Sequence, residues 1–159
     1  MNTTAERPPY ESYATIMAVF GGLLATAAAT SRLFGRDPAC QTTLDFAVLS
    51  AASFKAARTL ASDEVTSFIR EPFVRGHAHE GEEEPVSGGM HQAIGELVTC
   101  TRCVGTWTAA LLASAQILAP RTGRLLTWSL AAAAANDWLQ AGFAALTAKS
   151  NELEVRSTG

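Results

Sequence analysis

YATIMAVFGGLLATAAATS, residues 13–31, contains no charged side chain. A helix crosses a hydrocarbon core about 30 Å thick with about 20 predominantly apolar residues, and this stretch comes close to that length. Val104–Pro120 is likewise uncharged, and Leu125–Ala148 carries only Asp137. A soluble domain of 159 residues would interleave charge with apolar residues along each helix or strand. Here the apolar content is 48%, yet charge collects between the runs. The expected fold is therefore all-α, an integral membrane bundle of about four transmembrane helices. The spans fall at 13–33, 44–62, 104–118 and 125–148, between polar tails at 1–12 and 149–159. A soluble four-helix bundle with Ala-rich helices is the competing fold.

The first run ends in small residues, as an export signal does, but Arg7 before it stands against Glu6 and Glu11. A signal peptide needs a positive flank and a shorter apolar core, so a retained helix is expected. Gly21, Ala25 and Ala29 fall four apart, which lets helix backbones approach closely in lipid. The second run is the weakest, because Lys55 and Arg58 sit on its last turns. Either they face protein or snorkel to the interface, or this helix is only half inserted.

Between the second and third runs, Asp63–Phe73 and Met90–Val98 carry apolar residues at helical spacing and are expected to lie at the membrane surface. Val74–Gly89 is rich in Gly, Glu and Pro and is expected to be mobile. Four spans put both termini and this middle loop on one side. That side holds Arg7, Arg70, Arg75, Arg102, Lys149 and Arg156, with Lys55 and Arg58 at the helix end. The other holds Arg32, Arg36, Arg121 and Arg124. The basic excess predicts a cell-membrane protein with termini and middle loop in the cytoplasm.

Cys100 and Cys103, three apart at the start of the third run, can pack, bind a metal such as zinc or do thiol chemistry. His91, His77 or His79 could complete a metal set. The remaining cysteine, Cys40, precedes the second span and would lie on the opposite side, so no two-pair electron relay is available. Asp137 lies deep in the fourth run with Gln140 one turn on. A carboxylate there needs a partner, and Lys55 and Arg58 are the available cations. It forms a structural ion pair or, alternatively, an ion or proton site. His77, His79 and the acids that follow could bind a divalent cation, although a solvated loop is the expectation. A net charge of −3 without a basic stripe excludes a nucleic-acid partner. No phosphate loop, nucleophile elbow or zincin pattern occurs.

Several segments together resemble a known family: Lys55-Ala-Ala-Arg58-Thr-Leu60, Asp63-Glu-Val65-Thr66, Arg70-Glu-Pro72-Phe73, and Gly95-Glu96-Leu97-Val-Thr99-Cys100-x-x-Cys103-Val-Gly105-Thr-Trp107. The pattern is similar to the bacterial domain-of-unknown-function family 1360, over roughly Leu44–Leu146. The resemblance implies a membrane protein in which Asp63, Thr66, Arg70, Pro72, Phe73, Glu96, Gly105 and Trp107 are pattern residues. It supplies no mechanism. Thr101 stands where that family usually has Pro, which weakens a metal knuckle or a poised redox pair. The chain is thus expected to be non-enzymatic and to meet membrane lipid. It would act by association with itself or with a larger membrane complex. A thiol or metal site at Cys100 and Cys103, and a minimal transporter built on Asp137, are the alternatives.

Overall fold

A computed structural model describes residues 8–36, 41–76 and 83–158. Among them are Tyr10–Leu33 (α1), Thr43–Ser62 (α2), Ser67–Arg70 (α3), Val74–Arg75 (β1), Glu84–Pro85 (β2), Gly89–Thr99 (α4), Thr101–Leu118 (α5) and Pro120–Thr158 (α6). Single 3₁₀ turns, Glu64–Thr66 and Glu71–Phe73, flank α3. The all-α expectation holds, and the four long helices cover the four apolar runs.

Three of these helices begin at residues whose chemistry suits a helix start. Thr42 and Asp45 form a reciprocal capping box at the start of α2, satisfying two backbone donors that a helix end otherwise leaves open. Cys100 caps α5, its sulfur accepting from the Cys103 N–H. Pro120 opens α6, a position where its missing N–H costs nothing. The helix α2 packs along α5 and α6, which also pack on each other, whereas α1 leans on α5 and α4. Thr108 Oγ1 reaches the Ser53 carbonyl at 3.3 Å and ties α5 to α2. Edge-to-face packing of Phe20 on Trp107, with centroids 4.9 Å apart, joins α1 to α5.

Three local expectations are corrected, and a fourth, the count of spans, is met only in part. By length and composition, α1 alone among the described helices qualifies to cross a membrane. The others fall short because α2 carries Asp45, Lys55 and Arg58, α5 has only 18 residues and they include Arg102 and Gln116, and α6 mixes Asn136, Asp137 and Gln140 into its Ala run. The segment after Phe73 is a short ribbon at its ends, with Val74 opposite Pro85 and Arg75 opposite Glu84 in antiparallel register. Residues 149–158 extend α6 instead of forming a tail, with Lys149–Glu152 and Arg156–Glu152 pairs along this turn. Finally, Asp63–Phe73 forms α3 and its two 3₁₀ turns in place of one continuous helix. Cys40, His77, His79, Glu80 and Glu82 lie outside the described residues.

The interior is small-grained. Ala57, Ala61 and Val104 form its apolar cluster with Leu60 against them. The largest fully buried side chains are Arg70 and Thr127. Close approach is enforced at the α5–α6 reversal, where a Cβ on Gly123 would stand 2.5 Å from the Ala115 carbonyl carbon and oxygen. We expect Gly123→Ala to cost about 2 kcal/mol or more, since backbone cannot step aside. Gly142→Ala in the same helix, with nothing within 4 Å, should be neutral or stabilising by up to about 1 kcal/mol. Thermal unfolding followed by circular dichroism compares them, and equal midpoints for the two variants would contradict the packing described.

Candidate functional site

The turn after α2 is organised by one guanidinium. Helix α2 ends at Ser62, with Asp63 as its extended C-cap, leaving carbonyls in need of donors. Thr66 folds back, its hydroxyl donating to the Thr59 and Asp63 carbonyls. Arg70, fully buried, donates from Nη1 to Leu60 O at 2.8 Å, Asp63 O at 3.2 Å and Thr66 Oγ1 at 3.1 Å. Its Nε and Nη2 grip Glu83 in a two-pronged pair at 2.8 and 3.2 Å. Arg70 therefore cements the C-terminal end of α2, the turn and the ribbon edge together. Planar bidentate pairing of this kind is what Arg does and Lys cannot.

Phe73 and Glu96 link this knot to the rest. The Phe73 carbonyl accepts from Val86 N at 3.0 Å and lies against α4, where a Cβ on Gly95 would meet it at 2.5 Å. Glu96 accepts from Gln92 Nε2 at 2.9 Å and, through its other oxygen, from the Tyr13 hydroxyl. Tyr13 thereby fastens the start of α1 to α4. Pro72 sits within the 3₁₀ turn. Gly105 has the Ala57 methyl 3.8 Å from where its own Cβ would be, and Trp107 carries the contact to α1 already described.

The Cys100–Cys103 pair stands at the start of α5, half-buried and exposed respectively. The Cys103 thiol and N–H both donate to the Cys100 sulfur and hold the Cys100 thiol below its usual range. The same hydrogen bond, with desolvation, pushes Cys103 up to about 11. Iodoacetamide modification across a pH series, read by mass spectrometry, should therefore label Cys100 first, with a midpoint below the roughly 8.5 of a free thiol. Cys103 labelling ahead of Cys100 would contradict this order. His91 does not join the pair. It packs against Phe73 with ring centroids 5.9 Å apart, at the far end of the 11-residue α4, a helix about 16 Å long. Among the described residues no group of three His, Cys, Asp or Glu side chains is placed to hold a metal ion.

Lys55 Nζ lies 2.7 Å from Asp137 Oδ2, joining the middle of α2 to the middle of α6. The Phe54 and Trp138 rings pack alongside at a tilt, with centroids 6.0 Å apart. Arg58 and Gln140 are exposed on their helices.

Two residues of this arrangement escaped the sequence reading. Glu83 falls in the Gly-, Glu- and Pro-rich stretch Val74–Gly89, whose composition predicts mobility. Arg70 lies 13 residues before it in α3, and only the burial of its guanidinium, which the sequence does not show, requires an acid to return to it. Tyr13 had been read as the edge of an apolar run, and nothing local points it at Glu96.

A family model described as "Protein of unknown function (DUF1360)" matches residues 48–143. The chain belongs to this family. DUF1360 thus covers α2 from its first turns, the Arg70 knot, the cysteine pair and α6 to beyond Asp137, while α1 and Tyr13 lie outside the match. Two Bacillus subtilis (strain 168) proteins are similar. "UPF0713 protein YngL" is 30% identical over 105 residues, 61% of this chain and 76% of the relative. "Sporulation protein YjcA" is 32% identical over 102 residues, 57% of this chain and 82% of the relative. No solved structure matches this DUF1360 chain.

Proposed function

We propose that this DUF1360 protein is a multi-pass membrane protein that acts by association, with itself or within a larger membrane complex. In this reading α1, α2, α5 and the first part of α6 cross the bilayer of the cell membrane, and termini and middle loop face the cytoplasm. The observation that carries it is the inverted distribution of side chains. Leu23, Leu111, Leu125, Leu139, Phe143 and Leu146 are exposed on the long helices, while the largest fully buried side chains are Arg70 and Thr127. Water penalises so many large apolar side chains outside. Lipid or a partner helix does not, and small or polar residues between helices are what membrane packing favours. Within α2 and α6, Lys55 and Asp137 meet each other, and the exposed Arg58, one turn from the end of α2, can snorkel to the interface. Native mass spectrometry of the full chain in mild detergent, alongside affinity purification from its own membranes, tests association. Self-assembly or a stoichiometric partner is expected, and a lone monomer with nothing co-purifying would defeat the proposal.

A second reading, a thiol site on Cys100 and Cys103, draws support from the capped sulfur at the start of α5. Association is preferred because the pair gathers no third ligand and no base among the described residues.

A further inference from the structure

The end of the bundle opposite the Arg70 knot gathers α1's last residues, the starts of α2 and α6, and the end of α5. A cavity of about 350 Å³ opens there, lined by Arg36, Gln41, Asp45, Gln116 and Arg124. It is about ten times the roughly 30 Å³ that one water occupies in the liquid. A second cavity adjoins it, sharing Arg36 and Pro120 and adding Arg121.

Three features converge on a negatively charged ligand. Two guanidinium groups, those of Arg36 and Arg124, line this cavity with one carboxylate, while Arg121 lines the adjoining one. That carboxylate, Asp45, is engaged by Arg124 at 3.2 Å and by the Thr42 N–H and hydroxyl at 3.0 and 2.8 Å. Pro120 starts the 39-residue α6, and Ala119 before it has no side-chain oxygen to cap the first-turn N–H groups. The positive end of that helix dipole is turned toward the cavities. Independently of charge, Gln116 is 8% exposed and its Nε2 is a buried donor without a hydrogen-bond partner. Its Oε1 is taken by Gln41 Nε2 at 3.3 Å, which fixes the amide so that an N–H donor remains unsatisfied. Native proteins seldom leave such a group open.

We propose that this cavity is a phosphate-class anion site, held by Arg36 and Arg124 with Gln116 donating from below. The same chemistry suits the headgroup of an anionic phospholipid or a free phosphate. Binding draws Arg124 away from its 3.2 Å pair with Asp45, whose carboxylate keeps its Thr42 contacts.

The test uses the full chain purified in neutral detergent. Inorganic phosphate is titrated calorimetrically, and retention of phosphatidylglycerol against an uncharged glycolipid is followed by native mass spectrometry from nanodiscs. Saturable binding is expected in at least one arm: phosphate binding assigns a free anion, lipid retention alone a headgroup. Arg36→Gln, at an exposed loop position, should weaken it about tenfold, the loss of one charge-assisted contact. Gln116→Glu, which sets a carboxylate in the cavity, should weaken it further with helicity unchanged. Arg32→Gln, outside both cavities, should change it less than about twofold. Absence of saturable binding in both arms overturns the proposal, as does an equal loss from Arg32→Gln, which would mean diffuse surface charge. The phosphate arm works whether or not the chain spans a membrane, so this site and the membrane reading fail separately.

Discussion

Replacing Arg70 by Met should destabilise the protein by about 3–5 kcal/mol, the usual cost of deleting one member of a buried pair. The side chain that remains fits the space but leaves the Glu83 carboxylate, itself only 12% exposed, without its partner. It also strips the donor from the Leu60 and Asp63 carbonyls and from the Thr66 hydroxyl. Arg70→Lys keeps the charge but not the fork, and should recover less than half of that loss. Glu83→Gln, which can still accept, should cost less than Arg70→Met. Denaturant unfolding of the three variants orders them, and an Arg70→Met protein as stable as wild type would show that the knot is ornamental.

The second large effect concerns Lys55 and Asp137. Lys55→Leu should cost about 3 kcal/mol if the surroundings are lipid, because an unpaired aspartate near a helix centre is disfavoured by roughly 2.5–3.5 kcal/mol. Asp137 is 45% exposed. In water it would be solvated instead, and loss of the pair would cost no more than about 1 kcal/mol. The double replacement Lys55→Leu with Asp137→Leu removes both charges and should return close to wild type, since paired charges can be exchanged for apolar groups at little cost. The double-mutant cycle thus reads the medium around α2 and α6. Strict additivity of the two changes would argue against a bilayer there.

Much of the helical order was legible because it is local. Uncharged runs mark the bodies of α1, α2 and α5 within a few residues of the observed bounds, whereas α6 starts at Pro120, five residues before the expected span. The Lys55–Asp137 partnership was also within reach, since a deep carboxylate restricts its partners to few cations. What stayed hidden depends on tertiary closure. The β1–β2 ribbon has two residues per strand, too short for any periodicity to register. Its existence follows from Glu83 returning to Arg70, a contact between segments of unremarkable composition. The extension of α6 through residues 149–158 lies beyond what hydropathy marks, because the stretch is polar, although Lys149, Glu152 and Arg156 stand three and four apart and support a solvated helix. The count of spans divides for a different reason. Apolar length alone selects α1, whereas α2, α5 and α6 depend on how their polar groups are sheltered by one another, which hydropathy does not measure.

Accessibility of single cysteines from the two sides of the membrane tests the multi-pass reading most directly. In a background with the native cysteines replaced by Ser, Arg36→Cys and Arg121→Cys should react with an impermeant maleimide from one side only. Gly88→Cys and Gly159→Cys should react only from the other. If Arg121→Cys and Gly88→Cys are labelled from the same side, α5 does not cross and the multi-pass architecture is wrong.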